Sequence, residues 1–270
     1  MALSMRRAVF DRLRICATTP QLQAHKQLLG TQTLQQQQAA LQQSLNEQEN
    51  AQKEPALTPL QHPDYFGLHK IISIKELFDA RVHLGHKEGL LNMHMRPYIF
   101  GSRLGCHIID LNQTVLHLFR ALNVVAHVAY RDGLILFVSR NPQMAHLIEN
   151  TAKECQEFAH TRNWPQGLLT NSVRQFGTET RLPDCIVLLS TLDTVFEQHM
   201  AIVESSKVLI PTVAIVDTNC DPTLVTYPVP GNDDTHSSVQ LYCRLFKEAI
   251  MRGKARRKQD GVESQDGVES

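Results

Sequence analysis

Three features of this 270-residue chain predict an α/β fold of the flavodoxin- or Rossmann-like kind, a parallel sheet with helices on both faces. Short continuous apolar runs such as Val213-Ala214-Ile215-Val216 read as strands covered on both sides. These runs alternate with segments of helical periodicity, the order that produces parallel pairing. The run at Val213 ends in Asp217-Thr218-Asn219, polar groups at the carboxyl edge of a sheet, where open α/β folds meet ligands.

The folded part is expected from Tyr65 onward, through residue 258. Ser73-Ile74-Lys75-Glu76 reads as a capping box opening a helix to about Val82 that buries Leu77, Phe78 and Ile74, with Gly85 stopping it. Lys87 to Gly105 reads as an irregular loop carrying Met93, Met95, Pro97, Tyr98 and Phe100. Cys106 to Ile109 is the first expected core strand, and Asp110 to Gln113 a second capping box. The helix it starts reaches about Tyr130, with Leu111, Val115, Leu118, Leu122 and Val125 on its core face. Leu134 to Val138 is the next strand. Asn141-Pro142 then supplies N-cap and first helical residue for a helix turning Met144, Leu147, Ile148, Cys155 and Phe158 inward. Cys185 to Leu189 is a third strand, and Asp193 opens a helix to about Glu204. The strand at Val213 and a proline-punctuated strand from Leu224 to Val229 follow. Gly231-Asn232-Asp233-Asp234 is the turn into the last helix, which runs to about Arg252.

The ends differ in composition. Residues 1–20 carry Arg6, Arg7, Arg12 and Arg14 against the single acid Asp11, with Met5, Val9 and Leu13 on one helical stripe. Without a long apolar stretch, this suits a mitochondrial presequence better than a secretory signal. Residues 21–64 are glutamine-rich, including Gln35 to Gln38, and too poor in apolar surface for a core. They read as a disordered linker. The tail Gln259–Ser270 is a repeated Gln-Asp-Gly-Val-Glu-Ser hexapeptide with acidic charge, expected to be disordered. No stretch approaches the roughly 18 apolar residues of a membrane span, so no membrane partner is expected.

The formal net charge is zero. Five of the folded part's basic residues cluster as Arg252, Lys254, Arg256, Arg257 and Lys258, and without them that part is slightly acidic. Nucleic-acid binding by bulk charge is thereby excluded, and any RNA contact must come from local patches. The six cysteines form no C-x-x-C pair and fall mostly at apolar positions, where cysteine behaves as a small hydrophobe. There is no G-x-G-x-x-G after the first strand, no P-loop and no G-x-S-x-G, so the sheet lacks the usual phosphate loop or nucleophile of an enzyme.

Candidate site residues carry two readings each. Asp110, Asp217 and the pair Asp233-Asp234 stand at strand ends or a helix start. They suit a Mg²⁺ site or a general base, and equally helix caps and turns. His83 and His86 are spaced as metal ligands, but Gly85 breaks the helix between them and no acidic partner has the zinc-protease placement, which favours a turn. The Met95–Arg103 segment combines Arg96, Tyr98 and Arg103, a mixture suited to phosphate and base contact, while Tyr98 and Phe100 could instead plug the loop into the core. The basic run from Arg252 to Lys258 suits phosphate contacts without sequence preference, or a solvated helix end favoured by the helix dipole.

Four blocks in order resemble the small-subunit ribosomal protein two family, a universal family of bacterial type, in its mitochondrial branch. They are Leu77–His86, Met95–Arg103 with His107–Leu111, Trp164–Asn171, and Ile210–Asp234. The resemblance implies a non-catalytic component of the mitochondrial small ribosomal subunit, in the mitochondrial matrix. It also implies contact with small-subunit ribosomal RNA and with neighbouring ribosomal proteins near the head–body junction. Bacterial-type members carry a long helical coiled-coil insertion where only Ser172 to Leu182 separates Asn171 from Pro183 here. They also tend to place Thr-Lys-Arg where this chain has Ser139-Arg140-Asn141, which leaves any phosphate contact there to Arg140.

The expectation is an RNA-binding scaffold with no cofactor, no metal and no small-molecule substrate. Arg96, Tyr98, Arg103, Arg140, Arg252, Lys254, Arg256, Arg257 and Lys258 are its candidate RNA contacts. His83, Gly85, His86, Asp217, Asn219, Gly231 and Asn232 are expected to shape turns. The competing reading is a flavodoxin-like enzyme or ligand binder using Asp110, Asp217 and Asn219.

Overall fold

The computed structural model describes residues 59–60, 62–194 and 197–266, with side chains through residue 261. The segment expected to be a presequence, almost all of the glutamine-rich segment and the last four residues of the tail lie outside them. The chain separates into two units, Met1–Pro63 and Asp64–Ser270. The second holds every element that follows.

In chain order these are α1 (Ile74–Asp79), β1 (Leu84–Lys87), β2 (Ile99–Arg103), β3 (Cys106–Ile109), α2 (Leu111–Tyr130), β4 (Ile135–Val138), α3 (Ala145–Cys155) and β5 (Phe158–His160). There follow α4 (Ser172–Phe176), β6 (Cys185–Leu188), α5 (Met200–Val208), β7 (Thr212–Val216), β8 (Tyr227–Pro230) and α6 (His236–Asp266). Five strands form a wholly parallel sheet in the order β5-β4-β6-β7-β8. The three central strands are apolar apart from Thr212 because both of their faces are covered. Alternation splits each strand between two cores. Phe137, Val187, Val213 and Ile215 meet Leu118, Leu122, Val125, Ile148, Tyr242 and Phe246 of α2, α3 and α6. Val138, Ile186, Leu188, Ala214 and Val216 meet Ala201 and Ile202 of α5, together with Trp164, Leu169 and Met95. β8 lies at the edge of the sheet, where its prolines 228 and 230 cost no ladder bond on the free side.

Several expectations are corrected. Cys106–Ile109 is not a strand of the parallel sheet. It is the middle strand of a separate antiparallel sheet in the order β1-β3-β2, so the supposed loop from Lys87 to Gly105 contains a strand and 3₁₀ turns at Glu88–Leu90 and Met93–Tyr98. α1 is shorter than expected. Ser73 makes no side-chain capping bond, and Ile74 and Phe78 are 51% and 58% exposed. Asp193 opens no helix; α5 starts at Met200, with His199 Nδ1 accepting from the Ala201 amide at 3.1 Å. α3 begins at Ala145, and Asn141 accepts from the Gln143 amide one turn earlier. Phe158 belongs to an edge strand and is 59% exposed. α6 continues through Lys258 into the hexapeptide repeat as far as Asp266.

Among the described residues, no helix is long and apolar enough to cross a membrane. Cys155, Cys185, Cys220 and Cys243 are free and buried, and burial pushes their thiols up to between about 11 and about 12. They pack as small hydrophobes, as the sequence suggests.

Candidate functional site

The carboxyl end of β7 is tied to two other segments through a histidine–carboxylate clasp. Asp217 is almost fully buried. Its Oδ1 accepts from the Thr218 amide at 2.5 Å, and its Oδ2 lies 3.1 Å from His86 Nδ1. The other ring nitrogen of His86 reaches Asp234 Oδ2 at 3.2 Å. Asp217 raises the His86 pKa to about 9, against a smaller opposing effect of burial, with Asp234 and Asp233 adding to the rise. Asp233, buried beside them, is pushed above the usual carboxylate range by desolvation and by those same two acids.

Backbone bonds complete the clasp. The His86 amide donates to Thr218 Oγ1 at 2.9 Å, and the Asn92 amide donates to the Thr218 carbonyl at 2.9 Å. Gly85 is required here, since a Cβ would fall 2.5 Å from Thr218 Cγ2. Asn232 closes the third side. Its side chain donates to the Arg81 carbonyl at 3.2 Å and accepts from the Asp234 amide at 2.9 Å, the bond that turns the chain into α6. Gly231 is equally confined, with Tyr242 Oη 2.1 Å from where a Cβ would sit. The sequence-selected Gly85, His86, Asp217, Gly231 and Asn232 therefore come together. Asn219 stands at the rim with its side chain accepting from the Cys220 thiol at 3.2 Å. His83 lies apart, stacked on Phe78 at 4.5 Å, and burial lowers its pKa. Asp110 is not part of the cluster; it caps α2, accepting from the Asn112 amide at 3.0 Å.

The donor atoms of His86, Asp217 and Asp234 lie within 4.8 Å of one another, close enough for one divalent cation. Protonated, as Asp217 favours, His86 donates from both nitrogens, and a cation would have to displace that proton to bind there. A cavity of about 470 Å³ beside the clasp is lined by His86, Arg140, Ser190, Asp193 and Asp233. It is where an enzyme of this fold would bind its ligand. Its charged groups are instead engaged with one another: Arg140 Nε pairs with Asp193 Oδ1 at 2.7 Å, and His86 with the acids.

The arginine-bearing segment is a 3₁₀ turn at Met93–Tyr98, which holds Arg96, followed by a β-hairpin, which holds Arg103. β2 and β3 pair antiparallel, with Arg103 opposite Cys106, joined by Leu104-Gly105. Both turn residues have positive φ, 54° and 76°, as a two-residue primed turn requires. Glycine adopts that conformation freely, whereas leucine is strained there, and Leu104 is nevertheless 95% exposed. Phe100 is 80% exposed, and Arg96 and Arg103 are exposed with no ion pair among the described residues. Tyr98 behaves differently, packing against the second core with its ring edge-on to His117. Sequence reasoning missed Leu104 and His107. The latter is buried with no partner for either ring nitrogen and shares a shallow cavity with Arg96. The Gly105 that follows Leu104, just before the expected strand Cys106–Ile109, was the available signal for the turn.

The basic end of α6 is largely paired within the chain. Arg252 donates to the Gly67 carbonyl at 2.7 Å and pairs with Glu248 at 2.7 Å. Lys254 pairs at 2.5 Å with Glu157, which is 3% exposed, and donates to the Cys155 carbonyl at 2.7 Å. Arg256 lies over the Tyr65 ring at 5.0 Å and pairs with Asp260 at 3.3 Å, while Arg257 pairs with Asp132 at 2.6 Å. Of the five, Lys258 is exposed and has no ion pair among the described residues. A free basic patch was expected; four of its members instead have partners within the chain.

Comparison with known proteins follows this geometry. The sequence profile described as ribosomal protein S2 matches residues 77–178 and 172–253. The chain is 57% identical over 201 residues to the bovine small ribosomal subunit protein uS2m, covering 74% of this chain and 69% of that protein. It is 35% identical over 226 residues to the small ribosomal subunit protein uS2 of Rickettsia typhi, covering 67% and 75% respectively. With uS2 of Rhizobium johnstonii it shares 34% identity over 236 residues, covering 72% and 90%. The profile spans the sheet, the clasp and the hairpin, and the chain belongs to the ribosomal protein S2 family.

Proposed function

We propose that the chain is a structural constituent of the mitochondrial small ribosomal subunit, residing in the mitochondrial matrix. In this reading it contacts ribosomal RNA and neighbouring ribosomal proteins and turns over no substrate. The observation that carries the reading is membership of the ribosomal protein S2 family, with 57% identity to a uS2m protein over 74% of the chain. The site adds physical support. The clasp of His86, Asp217 and Asp234 ties together the rim where an α/β enzyme would hold its ligand. The 3₁₀ turn at Met93–Tyr98 and strand β2 leave Arg96, Phe100 and Arg103 exposed, guanidinium and aromatic groups of the kinds that RNA contacts use. Arg96 and Arg103, with Lys258 as a secondary contact, are the RNA-facing residues in this reading. Arg140, Arg252, Lys254, Arg256 and Arg257 act first through their internal partners, and Tyr98 through the core.

Sedimentation of the tagged full chain from mitochondrial extract tests this. It is expected to travel with small subunits and to stay with them through a wash of moderate salt. Arg96→Glu with Arg103→Glu should keep the fold, as judged by an unchanged melting curve, while lowering particle occupancy roughly tenfold through lost phosphate contacts. A chain that stays at the top of the gradient, free of particles, contradicts the reading.

A further inference from the structure

The two matches to the family profile, 77–178 and 172–253, meet and overlap at α4. The Rickettsia typhi alignment has 226 positions but takes in 67% of these 270 residues, about 181, so about 45 positions are filled by the bacterial protein alone. The bovine alignment has 201 positions and takes in 74% of the chain, about 200 residues, so it carries almost no such gap. An uninterrupted run of that length within 270 residues must include 172–178. This chain and the bovine protein therefore share a shortening relative to the bacterial ones, and the split profile places it at α4.

The surface at that point is uncovered. Phe158 on β5 is 59% exposed, and Val173 and Phe176 on α4 are 55% and 53% exposed. β5 is the outer strand of its sheet, with a free edge among the described residues. Between β5 and α4 runs a groove of about 330 Å³ whose lining is mostly apolar, with Leu134, Leu136, Phe158, Leu168, Phe176 and Leu182 supplying the walls. Large exposed apolar patches beside an open sheet edge mark protein contacts. Arg162 and Arg174, each two residues from a lining residue (His160 and Phe176), are exposed and have no ion pair among the described residues, whereas Arg181, in the lining, is held by Asp184 at 2.8 Å.

We infer that the groove between β5 and α4 docks an apolar segment of a neighbouring small-subunit protein, one that carries acidic residues at its flanks. The occupant takes the place of the missing residues. Its apolar face fills the groove, and its carboxylates meet Arg162 and Arg174. Protein suits this lining better than RNA, because the walls are largely aliphatic and offer few polar groups to a nucleotide. The inference rests on the ribosomal reading above.

The test places a photo-crosslinking amino acid at Val173 of the tagged full chain, expressed in cells, followed by isolation of small subunits and mapping of the adduct. The expected adduct lies in one small-subunit protein, within an apolar stretch bordered by Asp or Glu. Phe158→Asp combined with Phe176→Asp should abolish that adduct and weaken the contact about tenfold or more. Both side chains are more than half exposed, so the near-ultraviolet circular dichroism of the double variant should be unchanged. A chain that enters the particle but forms its adduct with RNA, with residues 1–58 of itself or with a second copy, or forms none, overturns this inference and leaves the ribosomal reading standing. A chain absent from the particle overturns both.

Discussion

Gly231 and Tyr242 show how little room a single residue has at the clasp. A Cβ on Gly231 would sit 2.1 Å from Tyr242 Oη and 3.2 Å from Val82 Cγ1. Gly231→Ala is expected to destabilise the fold by about 2 kcal/mol in chemical denaturation, the usual range for overpacking. The Tyr242 hydroxyl is buried with no hydrogen-bond partner. Tyr242→Phe should therefore be neutral or stabilising by up to about 1 kcal/mol, since it removes an unsatisfied polar group. In the Tyr242→Phe background the glycine substitution should cost clearly less, with a coupling of about 1 kcal/mol; strictly additive effects would contradict the proposed contact. His86 gives a pH signature. Its folded pKa of about 9 stands above the ordinary 6.5, so its stabilisation is complete below pH 6.5 and is lost as pH rises through about 9. Asp233 acts with the same sign, because its raised pKa means the native state keeps a proton that the unfolded chain releases. Stability should fall between pH 6.5 and 9, and His86→Gln should remove on the order of 1–2 kcal/mol of that fall, a range discounted for the ring's partial exposure. Equal pH slopes in the two proteins would show that the histidine is not held charged.

At the scale of elements, the end of α6 separates what a sequence displays from what it hides. Five basic residues in seven are visible in the chain, but their partners are not. Glu157 comes from the residues just before β5, Asp132 from the turn after α2, and the carbonyls of Cys155 and Gly67 from elsewhere. Lys254→Ala should destabilise by about 2 kcal/mol, because it removes the ion-pair partner of a carboxylate that is 3% exposed and leaves it the Ile135 amide. Arg257→Ala should leave the denaturation midpoint unchanged within error, since Asp132 is open to water. Equal effects would mean that burial of Glu157 does not govern the pair. The same distinction explains which elements were legible. The buried runs of β4, β6 and β7 announce themselves by continuous apolar character, and α2 by its core stripe. β5 spans three residues and turns Phe158 outward, too little pattern to register. β1 and β2 are short, broken by register shifts, and contain glycine, serine and charged residues in place of an alternating apolar face. β3 was seen as a strand but assigned to the wrong sheet, because four apolar residues do not say which neighbours pair with them. Phe78 satisfied the helical period of α1, yet that helix has a single buried residue, Leu77. The clasp was legible as a set of turn residues, while the ion pairs joining His86 to Asp217 and Asp234 depended on three distant segments converging.

The folded unit divides its labour between a parallel sheet whose carboxyl rim is tied by the His86–Asp217–Asp234 clasp and a small antiparallel sheet with an exposed hairpin. Met95, buried in the second core, and the Thr218 bonds to His86 and Asn92 anchor the small sheet; Phe100, Arg103 and Leu104 are exposed on its β2–β3 hairpin, and Arg96 on the 3₁₀ turn before it. In the proposed reading, RNA contact falls to these few local cations, on a folded part that is otherwise slightly acidic. The most direct measurement is zero-length ultraviolet cross-linking of intact mitochondrial small subunits, with the cross-linked peptides of this chain identified by mass spectrometry. Ribosomal RNA adducts are predicted on the peptide spanning residues 93–106, and none on the cavity residues around His86 and Arg140. Adducts confined to that cavity, with the hairpin unmodified, would contradict the account.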